Sequence, residues 1–237
     1  MDNLNIAAAF NRAAHCYDEH SSLQQGIGEH LIKLLPDHPY RRTLDLGCGS
    51  GLTTRKLFSS IHCKQLDAMD ISTAFIASNQ NQSSSIHYFE QDFDSFTPAQ
   101  HYDLIFSNMA LQWSNDLTQL ITRYFSRLKR PGLFAFSIPL QDTLRELIPY
   151  FSINQFESAD ILFNFFSDNR ISIRHFETQT SILSFANTRD ALHSIKKVGA
   201  NYTRTRTTRR PLKSFLLSDT INQLTYHIGY FILEKSA

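Results

Sequence analysis

Gly47, Gly49 and Gly51 stand on alternate positions behind a short apolar run that carries a carboxylate, Thr43-Leu44-Asp45-Leu46. A parallel strand reads this way where it enters a loop whose backbone must lie against a ligand. Glycine serves there because a Cβ would block the approach and because positive φ costs it little. A nucleotide-like ligand belongs at the carboxyl end of such a strand, beside the N-terminus of the following helix. Spacing then decides which nucleotide. The dinucleotide fingerprint is G-x-G-x-x-G, whereas here the third glycine comes one residue early and Leu52 takes its expected place. The loop from Asp45 to Gly51, with Cys48 and Ser50 between the glycines, therefore suits an adenosyl ligand without a pyrophosphate better than NAD.

Further polar residues fall where the next strands should end. Asp70, followed by Ile71, lies about 20 residues beyond the glycine loop, where a carboxylate accepts hydrogen bonds from ribose hydroxyls. Asp92 follows the third strand, placed for the adenine amino group, with Phe93 beside it to pack on the ring. Asn108 follows the fourth strand. Any one of these alone could be a helix N-cap; the three together with Asp45, four in register with a glycine loop, mark a ligand path. Cys48 reads as a small loop filler, since nothing near it in sequence supplies a base. The histidines have no metal-ligand spacing, so no metal and no catalytic residue are assigned.

These positions need strands and helices in alternation to bring them together. Strands are expected at Thr43–Leu46, Gln65–Met69, Ile86–Phe89, Tyr102–Ser107 and Leu133–Ile138, with helices at Leu52–Ser60, Thr73–Asn79 and Leu117–Leu128. In the last helix Leu117, Leu120, Ile121, Tyr124, Phe125 and Leu128 repeat at the spacing of one buried face. Two helices lead the chain, Ile6–His20 and Leu23–Leu35. After Pro139 the pattern changes to helical Asp142–Phe151 and Phe156–Phe166, a long strand Ile171–Phe185, a helix Arg189–Val198 and a closing strand Leu224–Glu234. The fold expected is α/β, a doubly wound and mostly parallel seven-stranded sheet. It forms one domain over 1–237, with a helical insertion at 142–169, after the fifth strand, over the ligand edge.

Composition excludes several classes. The 237 residues are 42% hydrophobic with a formal charge of +1, enough for one full core and too neutral for a global pull toward nucleic acid or membrane. No run approaches the roughly 20 apolar residues of a spanning helix. The polar opening Met1-Asp2-Asn3-Leu4-Asn5 lacks the pattern of a signal peptide, and three cysteines without pairing or metal spacing fit reduced thiols. A cytoplasmic protein is expected.

With those residues in place, the chain resembles the class I S-adenosyl-L-methionine-dependent methyltransferases through its glycine loop, Asp70 and Asp92. Within that superfamily it is similar to the malonyl-[acyl-carrier protein] O-methyltransferases of biotin synthesis. The similarity runs through the opening AAAFNRAAHCYDEH at 7–20, Leu23-Gln24-Gln25, and SNMALQW at 107–113. It continues through Gly199-Ala200-Asn201 and the ending LTYHIGY at 224–230. Lys129-Arg130-Pro131-Gly132-Leu133 departs from the family in lacking a second glycine before the fifth strand.

The resemblance implies S-adenosyl-L-methionine as cofactor and methyl transfer to the free carboxylate of a malonyl thioester on acyl carrier protein. The ester would hide the charge while elongation enzymes carry the chain toward pimeloyl thioester and biotin. Such a nucleophile is already ionised near neutral pH, so a closed aromatic site is expected rather than a base. Tyr17 at the cofactor, with Phe10, Gln112 and Trp113 at the substrate, are the candidates, each having core or surface packing as its alternative role. Arg12, Arg145 and Arg204 are the candidate cations for the substrate carboxylate. The run Thr203–Arg210 is either a patch for the acidic carrier protein or a solvated loop. Three alternatives stay open: methylation of a free small-molecule carboxylic acid or quinone precursor, a non-catalytic cofactor-binding module, and an NAD-linked oxidoreductase.

Overall fold

The apolar runs become strands because both of their faces are covered. The structure, a computed structural model, describes residues 2–80, 85–151, 153–200 and 221–236. Five strands lie parallel: β1 (Tyr40–Leu46), β2 (Cys63–Asp70), β3 (Ile86–Glu90), β4 (Tyr102–Asn108) and β5 (Leu128–Pro139). Leu44, Leu46, Ala68, Met69, Leu104, Ile105 and Phe106 in their centres are 0% exposed, which is why these strands read as continuous apolar runs rather than alternation. β6 (Ser172–Ser184) and β7 (Gln223–Lys235) pair antiparallel, and β7 runs antiparallel to β5, giving the order β3-β2-β1-β4-β5-β7-β6. β6 is one edge, opposite β3, and carries Arg174 and Glu177, charges that discourage pairing with another chain.

Helices cover the two faces. α3 (Ser22–Lys33), α4 (Leu52–Ser60) and α5 (Thr73–Gln80) set Leu31, Leu57 and Ile76 into one apolar cluster. α6 (Leu117–Ser126) and α7 (Ala159–Asp168) set Leu120, Ile121, Tyr124, Leu162 and Phe166 into the other. Each such fully buried side chain contributes roughly 1.5–3 kcal/mol. The strand order reverses between β1 and β4, so a crevice opens outside their carboxyl ends, the place where open α/β sheets bind ligands.

Two expected helices differ. The single helix at Ile6–His20 breaks into α1 (Asp2–Ala13) and a four-residue α2 (Tyr17–His20). Cys16, at φ −129° and ψ 6°, is not helical, and its N–H turns back to Ala13 O at 3.0 Å. Neither glycine nor proline marks this break.

The helix expected at Asp142–Phe151 shrinks to a 3₁₀ turn at Arg145–Leu147. Asp142 and Leu144 take positive φ of 73° and 59°, and the segment bonds to β7 as well as through short turns within itself. Leu144 N–H donates to Thr225 O at 2.7 Å, and Thr143 Oγ1 donates to His227 O at 3.0 Å. Glu146 accepts from Thr225 N at 3.1 Å and Thr225 Oγ1 at 2.5 Å. The second helix of the stretch, α7, starts at its Ser158 N-cap and packs into the core with Leu162 and Phe166. Only the first half of 142–169 therefore stands at the ligand edge. α8 (Thr188–Lys197) packs Ala191 and Ile195 on Leu147 and Leu224 in a separate small cluster.

Candidate active site

β1 delivers the glycine loop. Gly47 and Cys48 N–H both donate to Met69 O at 2.9 Å, tying the loop to the end of β2. Gly47 and Gly51 hold φ of +74° and +75°, and protein atoms press on both: a Cβ on Gly47 would overlap that of Ala110, and one on Gly51 would lie 2.5 Å from Asn79 Oδ1. Gly49 differs, since a Cβ there meets nothing within 4 Å. The loop is open only at its middle glycine, where it lines a cavity.

Asp70 holds the loop from below. Its Oδ2 accepts from Gly49 N at 2.9 Å and its Oδ1 from Ser72 N at 2.8 Å. Burial raises its carboxyl to about 6, against the opposing pull of those N–H groups. Asp45 lies deeper, 2% exposed, and accepts from Thr54 Oγ1 at 2.6 Å. Burial pushes it up to about 7, opposed by the Thr54 hydroxyl and reinforced by the charge of Asp70. Asp45 thus clamps the first turn of α4 and does not line the cavity.

The cavity spans about 610 Å3, counted to its open mouth. Of the expected cofactor residues, Gly47, Gly49, Asp70, Ile71, Asp92, Phe93, Asn108 and Tyr17 line it. Asp45, Cys48, Ser50 and Gly51 are not among its lining. Ser50 O accepts from Arg55 at 3.3 Å, and Cys48 is buried with its thiol pushed well up by desolvation. Asp92 accepts from Asp94 N at 2.8 Å and Asn3 Nδ2 at 2.6 Å. Asn108 ties two elements together, its Nδ2 donating to Gln24 O at 2.9 Å and its Oδ1 accepting from Ser137 Oγ at 2.8 Å.

A second, wider cavity of about 1780 Å3, counted to its open mouth, adjoins the first. Four residues line both: Phe10, Tyr17, Met109 and Trp113. Phe10 and Trp113 meet edge to face at 5.6 Å, and Tyr17 meets Phe75 edge-on at 5.2 Å. The break after α1 is what sends Phe10 and Tyr17 to separate aromatic partners. Gln112 lines the wider cavity only.

The expected arginines are not gathered here. Arg12 is exposed on α1 and lines neither cavity. Arg145 points outward, its side chain 61% exposed and 3.7 Å from Glu146, because the 3₁₀ turn replaces the expected helix. Arg204, with the run Thr203–Arg210, lies outside the described residues. Among the described lining of the wider cavity, the basic groups are instead Lys196 and His193 of α8.

Several lining residues were absent from the expectations. Asn3 and Ile6 reach the cofactor cavity from the start of α1, and Ala110 forms its floor under Gly47. Met109 carries φ of 53°, uncommon for a non-glycine residue and concentrated at functional turns. Its sequence signals are adjacency to Asn108 and its place in the SNMALQW stretch. Among the described residues, no His, Cys, Asp or Glu group could hold a metal ion, and no helix is long and apolar enough to cross a membrane.

The residues present fit an adenosyl cofactor. Gly49 leaves a cradle that a Cβ would fill, Asp70 offers a carboxylate for ribose, and Asp92 with Phe93 offers an acceptor and a ring for the base. Comparisons with known proteins agree. Residues 44–134 match the family described as "Methyltransferase domain". The chain is 31% identical to malonyl-[acyl-carrier protein] O-methyltransferase 2 of Coxiella burnetii, over 97% of this chain and 95% of that one. It is 31% identical to the malonyl-[acyl-carrier protein] O-methyltransferase of Enterobacter lignolyticus, over 99% and 98%. The N-methyltransferase NodS of Bradyrhizobium japonicum, solved with S-adenosyl-L-homocysteine, shares the fold at a TM-score of 0.56 and 16% identity, covering 89% of this chain and 86% of that chain. The cofactor is S-adenosyl-L-methionine. Alike to these enzymes over nearly its whole length, the chain belongs to the malonyl-[acyl-carrier protein] O-methyltransferase family.

Proposed function

We propose that this enzyme transfers a methyl group to the free carboxylate of a malonyl thioester carried by acyl carrier protein, the step its relatives are named for. One observation carries the mechanism: the four residues common to both cavities include no group that takes a proton near neutral pH. Phe10, Met109 and Trp113 have none to offer, and burial with the charge of Asp70 drives the Tyr17 phenol upward, so it keeps its proton. An alcohol or amine nucleophile would need a base at this wall. A carboxylate does not.

The bound cofactor supplies an electrophilic methyl on a sulfonium. Asp70 and Asp92 would hold the nucleoside end, and the open face at Gly49 would let the ligand approach the backbone. Phe10, Trp113, Tyr17 and Met109 keep water from the incoming carboxylate and hold it facing the methyl, so the rate comes from alignment and desolvation. A carboxylate has no proton to lose before it takes a methyl, so these residues would have only to align it and keep it dry.

The size of the second cavity supports a substrate larger than a free diacid. Malonate alone would leave most of the roughly 540 Å3 inside the cavity's mouth to water. Methyl transfer is measured with malonyl-carrier protein, malonyl-CoA and free malonate. Preference for the carrier-bound thioester is expected; equal use of the free acid would remove the carrier from the reading.

A further inference from the structure

Asn3, in the first turn of α1, stands 89 positions before Asp92 and outside the matched methyltransferase stretch 44–134. Both residues line the cofactor cavity, and Asn3 Nδ2 donates to Asp92 Oδ2 at 2.6 Å. Asn115 Nδ2 donates to Asn3 Oδ1 at 3.2 Å. That bond sets the sense of the Asn3 amide, carbonyl toward Asn115 and NH2 toward Asp92. Asn115 is oriented in turn by Asp94, whose Oδ2 accepts its N–H at 2.9 Å and its Nδ2 at 2.8 Å. From α6, Arg123 Nη2 and Tyr124 Oη each donate to Phe93 O at 3.1 Å, so the rim that carries Asp92 is fixed.

Neither member of the Asn3–Asp92 pair is saturated. Asn3 Nδ2 has two hydrogens and, among the described residues, one acceptor, Asp92. The Asp92 carboxylate takes one N–H on each oxygen, from Asp94 N at 2.8 Å and from Asn3, with room for about four. A spare acceptor and a spare donor therefore sit side by side at the cavity. A base that fits them must present a donor next to an acceptor. Adenine does so with its amino group and the unprotonated ring nitrogen beside it, the kind of matching by which Asn and Gln read adenine in DNA. Hypoxanthine presents the reverse, a carbonyl beside a protonated nitrogen. Its oxygen would face the Asp92 carboxylate and its N–H the Asn3 amide.

We propose, resting on the placement of the nucleoside given above, that Asn3 is a base-specificity residue of this enzyme. Its free N–H donates to the ring nitrogen while Asp92 accepts from the amino group. The opening turn of the chain is thus part of the cofactor site, although it lies outside the matched methyltransferase stretch.

The test is titration calorimetry with S-adenosyl-L-homocysteine and S-inosyl-L-homocysteine, which differ only along that edge of the base. Wild type should bind the adenosyl compound about tenfold to hundredfold more tightly. Asn3→Ala should weaken that binding about threefold to tenfold, as one lost hydrogen bond does, and leave the Kd of the inosyl compound where it was. Cooperative urea unfolding shows that the variant is folded. Should it not fold, wild type reports alone through its preference between the two bases.

An equal loss for both compounds would make Asn3 a prop for α1 and overturn the proposal, as would no loss at all. Tighter binding of the adenosyl compound by Asn3→Ala would also overturn it, because the amide would then compete with the base for Asp92. So would equal affinity of wild type for the two compounds. Each of these leaves the methyl-transfer reading intact, whereas failure of wild type to bind S-adenosyl-L-homocysteine at all would overturn the cofactor cavity as well.

Discussion

Phe10 of α1 and Trp113 behind β4 meet edge to face, with ring centroids 5.6 Å apart and planes at 88°. The pair joins the opening of the chain to the switch point of the sheet, and both rings line both cavities. Edge-to-face pairs of this kind are worth about 0.5–1.5 kcal/mol beyond their buried area. Here the larger consequence is positional, since in the proposed mechanism these rings form the wall between cofactor and substrate.

Trp113→Ala should therefore lower kcat more than it lowers stability. Displacing a reactant by about 1 Å costs on the order of a hundredfold in rate, and Trp113→Phe should recover most of the loss by restoring a ring for Phe10. A double-mutant cycle with Phe10→Ala should give a coupling of about 0.5–1.5 kcal/mol in unfolding. An unchanged kcat in Trp113→Ala would remove the ring from the wall.

If Asp70 holds the cofactor as proposed, binding should depend on pH. The Asp70 carboxyl is raised from 3.8 to about 6 by burial. A raised acid binds more protons in the folded protein than in the unfolded chain, so its contribution to stability falls as pH rises from about 4 through 6. A ligand that donates hydrogen bonds to the ionised form relieves part of that. The rise in Tm given by S-adenosyl-L-methionine should thus be larger at pH 8 than at pH 5.5. Affinity below pH 6 should fall by up to tenfold per unit for this single proton. Thermal shift across that range checks it; a flat profile would separate Asp70 from the ligand.

Much of this arrangement was legible in the residues. Strands buried on both faces must be apolar throughout, so β1, β2 and β4 stand out with their polar end residues Asp45, Asp70 and Asn108. The rest depended on partners distant in sequence. Asp45 shares the strand-end signal of Asp70, yet Thr54 takes its carboxylate inside the protein, so register alone did not separate clamp from ligand group. The stretch at Asp142–Phe151 has helical periodicity, but Thr225 and His227 of β7 claim its backbone and side chains. Arg145 follows that change outward, and α8 brings Lys196 to the cavity from the far end of the chain. Asn3 bonds Asp92 across 89 residues, a contact no local pattern encodes.

The Asp45–Thr54 clamp makes its own forecast. Thr54 is 0% exposed, and its hydroxyl donates at 2.6 Å to a carboxyl raised to about 7. Thr54→Val keeps the shape and removes the donor, leaving a buried carboxylate short of a hydrogen bond, which costs about 1–3 kcal/mol. The hydroxyl favours the ionised form, so its loss pushes the carboxyl higher still. The destabilisation should be greater at pH 8.5, where wild-type Asp45 is ionised, than at pH 6, where it is mostly protonated. Urea unfolding at the two values measures this; an equal loss at both would mean the hydroxyl matters for packing alone.

The glycines separate fold from function most sharply. A methyl at Gly47 must overlap Ala110, at a φ of +74° that already disfavours any side chain. Gly47→Ala should therefore damage the protein itself, by roughly 2–3 kcal/mol when strain and overpacking are combined. A methyl at Gly49 meets no protein atom and takes up room in the cofactor cavity, with φ of +52° inside the left-handed region that costs alanine roughly 1–2 kcal/mol. Gly49→Ala should fold, unfold cooperatively a few degrees below wild type, and lose the rise in Tm with S-adenosyl-L-methionine. Titration calorimetry on Gly49→Ala decides the matter. Wild-type affinity in that variant would mean the open face of the loop is not where the cofactor lies, and the assignment of the cavity would fall with it.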